Sequence, residues 1–217
     1  MRPITVKVGP LVTASANNIC LSQSVSGAGS FILNGTTVSG GVATLDAPRR
    51  VLITSAGNDS AVNFTITGTT YSNSTTSEVI LGSNASSVYT ITDFLTISSI
   101  KTSASTGGAV TIGTNGIAGS SWVSCDPWAT SYISIQAVVS GTVNYTIQQT
   151  TDNPNSADTP VSVQNVTWVN SNDVAVVGAT TTQQSNYIFT PIFARVVLNS
   201  GSGSVTTTFV QSGVVNR

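Results

Sequence analysis

Gly41–Gly68, GVATLDAPRRVLITSAGNDSAVNFTITG, is the stretch of sequence that decides the fold. In two runs, Val51–Ser55 and Val62–Ile66, every second residue belongs to one prospective face, which is rich in β-branched and aromatic side chains. This period of two is typical of a half-buried antiparallel strand. Between the runs, Gly57–Ser60 contains residues that tolerate turn conformations. The stretch therefore predicts a β-hairpin, and it contains no obvious catalytic group.

The same alternation recurs along the chain at intervals of roughly 8 to 12 residues, the spacing found in β-sandwiches and barrels. No window of a dozen residues has helical periodicity. Two further hairpins are predicted, Tyr132–Val139 with Thr142–Gln149, and Tyr187–Leu198 with Ser204–Val210. The sequence therefore predicts an all-β fold of two antiparallel β-sandwich domains.

The boundary between the two domains is predicted near residue 117, in a glycine-rich region. All three tryptophans follow this boundary, so the composition changes there. Residues 1–117 are expected to form the N-terminal sandwich and residues 118–217 the C-terminal one. Within the first domain, Arg2–Val8 is a short alternating segment closed by Gly9-Pro10. It is expected to be either an edge strand or an N-terminal arm.

Charged residues are unusually scarce in this chain. They make up 7% of its 217 residues, against roughly 25% in ordinary soluble domains, whereas hydrophobic residues make up 40%. The surface is therefore expected to consist mainly of Ser, Thr, Asn, Gln and Gly. A net charge of −1 provides no basic patch for phosphate groups, which argues against a nucleic-acid partner. Because near-zero charge gives weak self-repulsion, we expect a homo-oligomer.

Neither a secretion signal nor a membrane span is predicted. The N-terminus lacks a positively charged region followed by an uninterrupted apolar run. The longest apolar runs are far shorter than the roughly 20 residues that a membrane helix needs. We therefore expect a soluble protein made in the cytosol, with no membrane partner.

Residues that carry catalysis or bind metals are sparse. The chain has no histidine, which excludes Ser-His-Asp and Cys-His nucleophiles, and its eight acidic residues are scattered. Asp59 is one candidate calcium ligand, but a single carboxylate is little for an ion that takes 6 to 8 oxygens. A Ser-Lys dyad with Lys7 or Lys101 has no supporting motif. The sequence therefore predicts no enzyme activity, no catalytic residue, no metal and no cofactor.

The two cysteines, Cys20 and Cys125, lie far apart in the sequence and lack Cys-x-x-Cys spacing. We expect both to be small buried hydrophobic residues. A disulfide between them is the alternative, and a reducing compartment disfavours it.

Five residues are candidates for an interface: Arg49, Arg50, Trp122, Trp128 and Trp168. The two arginines fit either an intramolecular ion pair at a strand end or an anchor for a carboxylate of a neighbouring subunit, since Arg forms forked hydrogen bonds. As an anchor, replacing both with alanine would weaken assembly without unfolding the subunit. The tryptophans fit either core or domain-junction packing or a sugar-stacking platform.

Several phrases of the sequence carry a family resemblance. They are the opening RPITVKVGP, the run GVATLDAPRRVLITSAGNDSAVNFTITGTT, the later SEVILG and DFLTISSIKTS, and the end FARVVLNSGSGSVTTTFVQSG. These phrases resemble small β-rich virion structural proteins of tailed bacteriophages, which are commonly decoration or cement, head-to-tail joining or tail-appendage subunits. The likeness covers most of the chain and carries no catalytic motif, so no functional residue is transferred.

The resemblance implies a virion structural subunit, made in the bacterial cytoplasm, whose partners are capsid, portal, neck or tail proteins. Low charge and loop-rich strand edges suit such a subunit. The alternative is a receptor- or glycan-binding adhesin on the virion surface that uses Trp122, Trp128, Trp168 or Tyr187. A polysaccharide depolymerase is disfavoured because no pair of carboxylates at catalytic spacing can be identified.

Overall fold

A computed structural model describes residues 3–128 and 132–211. Contacts divide the chain into two compact units. The central unit is Val12–Ile117, and the terminal unit combines the chain up to Leu11 with the chain from Ala118 onward. Both consist of antiparallel strands, which confirms the predicted all-β class. No helix within the described ranges is long and apolar enough to span a membrane.

The strands are numbered along the chain. They are β1 (Ile4–Val8), β2 (Cys20–Gln23), β3 (Gly29–Ser30), β4 (Val38–Ser39), β5 (Val42–Ser55), β6 (Asn63–Thr69), β7 (Thr75–Leu81), β8 (Ser87–Tyr89), β9 (Phe94–Thr102), β10 (Val110–Gly119), β11 (Val123–Ser124), β12 (Ile133–Ser140), β13 (Val143–Thr150), β14 (Val169–Asn170), β15 (Val177–Ala179), β16 (Gln183–Tyr187), β17 (Phe193–Gly201) and β18 (Ser204–Gln211). Short 3-10 turns occur at Val163–Asn165 and Val174–Val176. The central unit contains β2 to β9 and most of β10.

The central unit corrects the first predicted hairpin. Both of its strands form, as β5 and β6, but β9 lies between them and pairs antiparallel with each. β6 also pairs with β7, and β5 pairs with β8 through Leu52–Thr54. An alternating sequence indicates only that one face of a strand is buried. It does not indicate which strand pairs with it. The sequence pattern therefore predicted the strands correctly and their pairing wrongly.

The alternation within the opening stretch corresponds to burial. Val51 and Ile53 on β5, and Phe64 and Ile66 on β6, are completely buried. Each such side chain contributes about 1.5–3 kcal/mol when it is removed from water. They share one hydrophobic core with Ile19, Cys20, Phe31, Ala43, Leu45, Val62, Phe94, Ile97, Ile100, Val110 and Ile112.

The terminal unit contains two groups of paired strands that face each other. One is a four-stranded sheet in the order β1-β18-β12-β16. The other has β13 between β14 and β17, with β15 paired to β13 and β11 to β17. Buried side chains such as Phe209 from the first group and Tyr145 and Leu198 from the second fill the core, and β1 and β18 contact β17. This arrangement is a β-sandwich.

The other two predicted hairpins are also wrong, because their strands lie in opposite sheets. β12 pairs with β16 and β18, whereas β13 follows after only Gly141-Thr142 and pairs with β17. β17 and β18, which are joined by Ser202-Gly203, likewise lie in opposite sheets. The two connections pack on each other, since the Gly203 N–H donates to the Thr142 carbonyl over 2.9 Å. Each connection is an arch between sheets, built from the same turn residues as a hairpin.

The N-terminal strand belongs to the terminal unit. β1 pairs with β18 from Ile4↔Phe209 to Val8↔Val205, and the Val8 side chain is buried. The division after Ile117 coincides with the predicted boundary, but the chain up to Leu11 does not group with the central unit as the prediction of residues 1–117 required. Of the two alternatives for this segment, the structure has an edge strand paired within its own chain. Its partner strand lies near the opposite end of the sequence, so a local sequence pattern could not predict the pairing.

Gly68→Ala is expected to destabilise the central unit by about 2 kcal/mol. β6 shifts its register against β9 between Thr67 and Gly68, and a Cβ at Gly68 would overlap the Thr96 carbonyl oxygen. Gly116→Ala is the matched control, because a Cβ there meets no atom within 4 Å. Urea unfolding followed by far-UV circular dichroism measures both variants. Equal midpoints for the two variants would contradict the crowding at Gly68.

Candidate functional site

Arg49 is a buried residue of the central unit and is only 2% exposed. Its Nη1 donates to the Val12 carbonyl over 2.9 Å and to Asp46 Oδ1 over 3.0 Å. Its Nη2 donates to the Asn115 carbonyl over 2.9 Å. Val12 and Asn115 lie at or near the two ends of the central unit, so one guanidinium ties both ends to β5. Arg49 is therefore unavailable to a neighbouring subunit.

Arg50 has weaker intramolecular partners in the same unit. Its Nε lies 3.6 Å from Asp93 Oδ1, an ion pair too long for a hydrogen bond. Its Cζ lies 5.7 Å from the ring centre of Tyr89. Both arginines thus follow the intramolecular alternative. The burial of Arg49 argues against the expectation that alanine at both positions leaves the fold intact.

Trp122 and Trp168 pack against each other in the terminal unit. Their ring centres are 4.9 Å apart at an interplanar angle of 74°, and Trp122 also lies 5.6 Å from Phe193. The Arg195 guanidinium covers Trp168 at 4.3 Å and donates through Nε and Nη2 to Gln148 Oε1. Both tryptophans are half-buried. This cluster supports the packing alternative, since neighbouring side chains occupy ring surface that a sugar would need.

Trp128 and Tyr187 differ sharply in exposure. Trp128 is 92% exposed, and its backbone N–H donates to Asp126 Oδ1 over 2.9 Å. Tyr187 is 2% exposed, and burial raises the pKa of its hydroxyl. Tyr187 therefore presents no ring to a ligand. Of the four aromatic residues considered for an adhesin, Trp128 alone is fully accessible.

The acidic and basic residues considered as catalytic or metal-binding groups are either not clustered or bonded to backbone groups. Among the described residues, no group of three or more Cys, Asp or Glu side chains is placed to hold a metal. Asp59 is completely buried, and its Oδ1 accepts from the Gly107 N–H over 2.7 Å. The carboxylate thus fixes the loop after β5 against the loop before β10. Lys7 and Lys101 are exposed on their strands.

An open cleft of about 630 Å³ lies on the outer face of the β1-β18-β12-β16 sheet. Its floor consists of outward-facing side chains from the last three of these strands, namely Ser134, Gln136, Gln184, Asn186, Thr208 and Val210. None of them was singled out from the sequence. Hydroxyl and amide residues that alternate with buried ones are what any solvated strand face contains.

Strand register arranges this floor in two transverse rows. Gln136 lies opposite Thr208 on one side and Gln184 on the other. In the same way, Ser134 lies opposite Val210 and Asn186. With cross-strand neighbours about 5 Å apart and same-face residues about 7 Å apart along a strand, the floor measures ~10 Å by ~7 Å. The cleft therefore gathers amide and hydroxyl groups from three separate parts of the chain.

Arg49→Ala is expected to lower the free energy of unfolding of the central unit by about 3 kcal/mol or more, because Asp46 and two carbonyl groups lose a buried charged donor. Arg49→Lys should recover only part of this, since an ammonium group cannot reproduce the guanidinium fork. Arg50→Ala is the control, with an expected loss of about 1 kcal/mol. Urea unfolding monitored by circular dichroism compares them. Equal losses for Arg49→Ala and Arg50→Ala would contradict the role given to Arg49.

Both thiols should react slowly with Ellman's reagent in the native protein and rapidly in urea. Burial raises the pKa of Cys20 to about 12 and that of Cys125 to about 11, from an ordinary value of 9.0. Both cysteines are free and buried, as expected from the sequence. Because the unfolded thiols ionise first, their contribution to stability is complete below pH 9.0 and decreases as the pH rises toward these values. Rapid labelling of the folded chain near pH 8 would contradict this burial.

Comparisons with protein-family models, curated proteins and solved structures gave no match for this chain. The resemblance to phage virion proteins therefore stays a prediction from the sequence. Inference about function rests on the surfaces and contacts of the two units.

Proposed function

We propose that this chain is a structural subunit of a tailed-phage virion and that it acts by protein–protein assembly without catalysis. The virion context comes from the sequence resemblance. The structural observation that supports assembly is the outer edge of β7 in the central unit. Within the described chain, β7 ends the strand order and pairs with β6 alone. Such an edge offers backbone N–H and C=O groups to a strand of a neighbouring subunit.

The β7 edge also carries apolar side chains. Val79 is 59% exposed and Leu81 is 57% exposed, and nearby Ile91 is 73% exposed. The one charged residue of β7, Glu78, is occupied internally, because its two carboxylate oxygens accept from the backbone N–H groups of Ile91 and Thr92 over 2.8 and 2.7 Å. Proteins usually protect an exposed edge with charge or proline. This edge has no proline, and its one carboxylate is bonded within the chain, so it suits a surface that a partner covers.

The binding energy expected from such an edge is what a weak contact repeated many times in an assembly requires. Burying Val79 and Leu81 would supply about 1.5–3 kcal/mol each, in addition to the strand hydrogen bonds. Association costs several kcal/mol in lost freedom, so a single contact is weak. A subunit that makes several such contacts on a particle binds more tightly, because the contacts act together. Low net charge removes most of the repulsion between copies.

The double variant Val79→Lys with Leu81→Lys should convert the associated protein to monomer. Two ammonium groups at the edge would have to be desolvated for a strand to pair there. Light scattering measures the mass of the purified protein before and after the change. Ile32→Lys is the control, because Ile32 is 69% exposed but lies outside any strand. A wild-type protein that is monomeric at high micromolar concentration would contradict self-association through β7.

The virion context is tested separately with phage particles that lack the subunit. The purified wild-type protein is expected to bind capsids or tails saturably, and the double lysine variant is expected to bind less. Protein that stays in solution at all particle concentrations would contradict a structural role in the virion.

A further inference from the structure

We propose that the cleft on the outer sheet face of the terminal unit binds a neutral oligosaccharide. The proposal goes beyond assembly through β7 and uses other residues. It rests on the chemistry of the cleft floor, on the availability of its side chains and on the rigidity of the strands that hold them.

The lining favours an uncharged ligand rich in hydroxyl groups. Gln136, Gln184 and Asn186 each present both a donor and an acceptor, and Ser134 and Thr208 add hydroxyl groups. Neighbouring sugar hydroxyls also donate and accept, so they can pair with an amide through both its C=O and its NH₂. Among the described residues, no lysine or arginine lines the cleft, which disfavours phosphate, sulfate and carboxylate ligands.

Most of these side chains are not occupied by other described residues, and the exception is Thr208, whose hydroxyl lies 2.9 Å from that of Thr5. No side-chain hydrogen bond joins Ser134, Gln136, Gln184 or Asn186 to another described residue. Amides elsewhere are engaged: Gln148 accepts from Arg195 in the terminal unit. The cleft therefore combines several amide and hydroxyl groups that have no side-chain hydrogen bond to another described residue, which is the condition for recognising a ligand by hydrogen bonds.

The strands below the floor hold it in place. β12 is paired along its whole length with β18 and from Ile133 to Ala137 with β16. The alternate residues Ile133, Ile135 and Ala137 are buried beneath the cleft. Side chains on a sheet anchored in this way lose less freedom on binding than side chains on a loop.

The rim provides a carboxylate and an apolar surface. Asp173 is fixed by its Oδ1, which accepts from the Ala175 N–H over 3.0 Å, and a carboxylate is a strong acceptor for sugar hydroxyls. Beyond Ser134 and Asn186, the same alternation continues to Tyr132, 66% exposed, and Ile188, 70% exposed. Such side chains suit the C–H face of a sugar ring. The volume of about 630 Å³ lies within the range of small-molecule sites.

The test is a screen of the full chain by ligand-observed NMR against neutral trisaccharides of glucose, galactose, mannose and N-acetylglucosamine, with a sulfated and a sialylated glycan for comparison. We expect at least one neutral trisaccharide to bind and the acidic glycans to bind more weakly. Binding of no neutral trisaccharide, or preference for the acidic glycans, would overturn the proposal.

Variants then locate the site for the trisaccharide that binds. Gln136→Ala and Asn186→Ala should each weaken its affinity about tenfold, the effect of losing roughly 1.4 kcal/mol of hydrogen bonding. Gln183→Ala is the matched control, since the Gln183 Nε2 donates to Thr181 Oγ1 and the side chain lies outside the cleft. Far-UV circular dichroism checks that each variant folds, and Gln136→Glu, which keeps the size of the side chain, is used if Gln136→Ala does not.

Trp128→Ala distinguishes the cleft from the exposed indole. Binding that survives Gln136→Ala and Asn186→Ala but is lost in Trp128→Ala would overturn the cleft as the site. Loss in the cleft variants with binding retained in Trp128→Ala would support it. The Val79 and Leu81 lysine variant should bind the trisaccharide normally, so failure of the assembly proposal would leave this result unchanged.

Discussion

One buried guanidinium bonds to backbone groups near both ends of the central unit. Arg49 lies on β5 within the unit and donates to carbonyl groups near both of its ends, at Val12 and Asn115. Asp46 balances the charge and also accepts from the Val12 N–H over 2.7 Å. A hydrophobic core alone does not specify where the two ends of a chain segment meet. The fork of Arg49 supplies that specification, because its planar donors satisfy carbonyls in only one arrangement.

Several of the few charged residues are used inside the molecule. Arg49, Arg195 and Asp59 are buried, and Glu78 is bonded to the backbone through both oxygens. The exterior consequently consists mostly of hydroxyl, amide and apolar side chains, with a few charges such as Lys7 and Lys101. One neutral surface, the edge of β7, suits a protein strand. Another, the floor around Gln136, suits a ligand that offers hydroxyl groups. Both surfaces reflect the scarcity of surface charge. With little charge there is little electrostatic repulsion between molecules, so the fit of shape and hydrogen-bonding groups decides what binds.

Local alternation was sufficient to predict the strands and the buried face of Val51–Ser55, but not which strands pair. A short turn such as Gly141-Thr142 serves a hairpin and an arch between sheets equally well. The sequence also did not distinguish Arg49 from Arg50, because the difference lies in carbonyl groups contributed by distant segments. The cleft was missed for a related reason. Gln136 and Gln184 are unremarkable separately, and only the register of β12 with β16 brings them together.

The pairing of β1 with β18 makes the central unit an insertion within the terminal one. During synthesis, Val12–Ile117 is complete long before the ribosome reaches β18, so the inserted unit can fold first while β1 waits without its partner. The terminal sandwich then forms only when almost the whole chain has left the ribosome. Pairing β1 with β18 closes a very long loop, which costs conformational entropy. A central unit that has already folded reduces this cost, because its residues no longer behave as flexible chain. A product truncated before β18 would lack both its central strand and the partner of β1. Incomplete chains would therefore expose unpaired strands to cellular proteases.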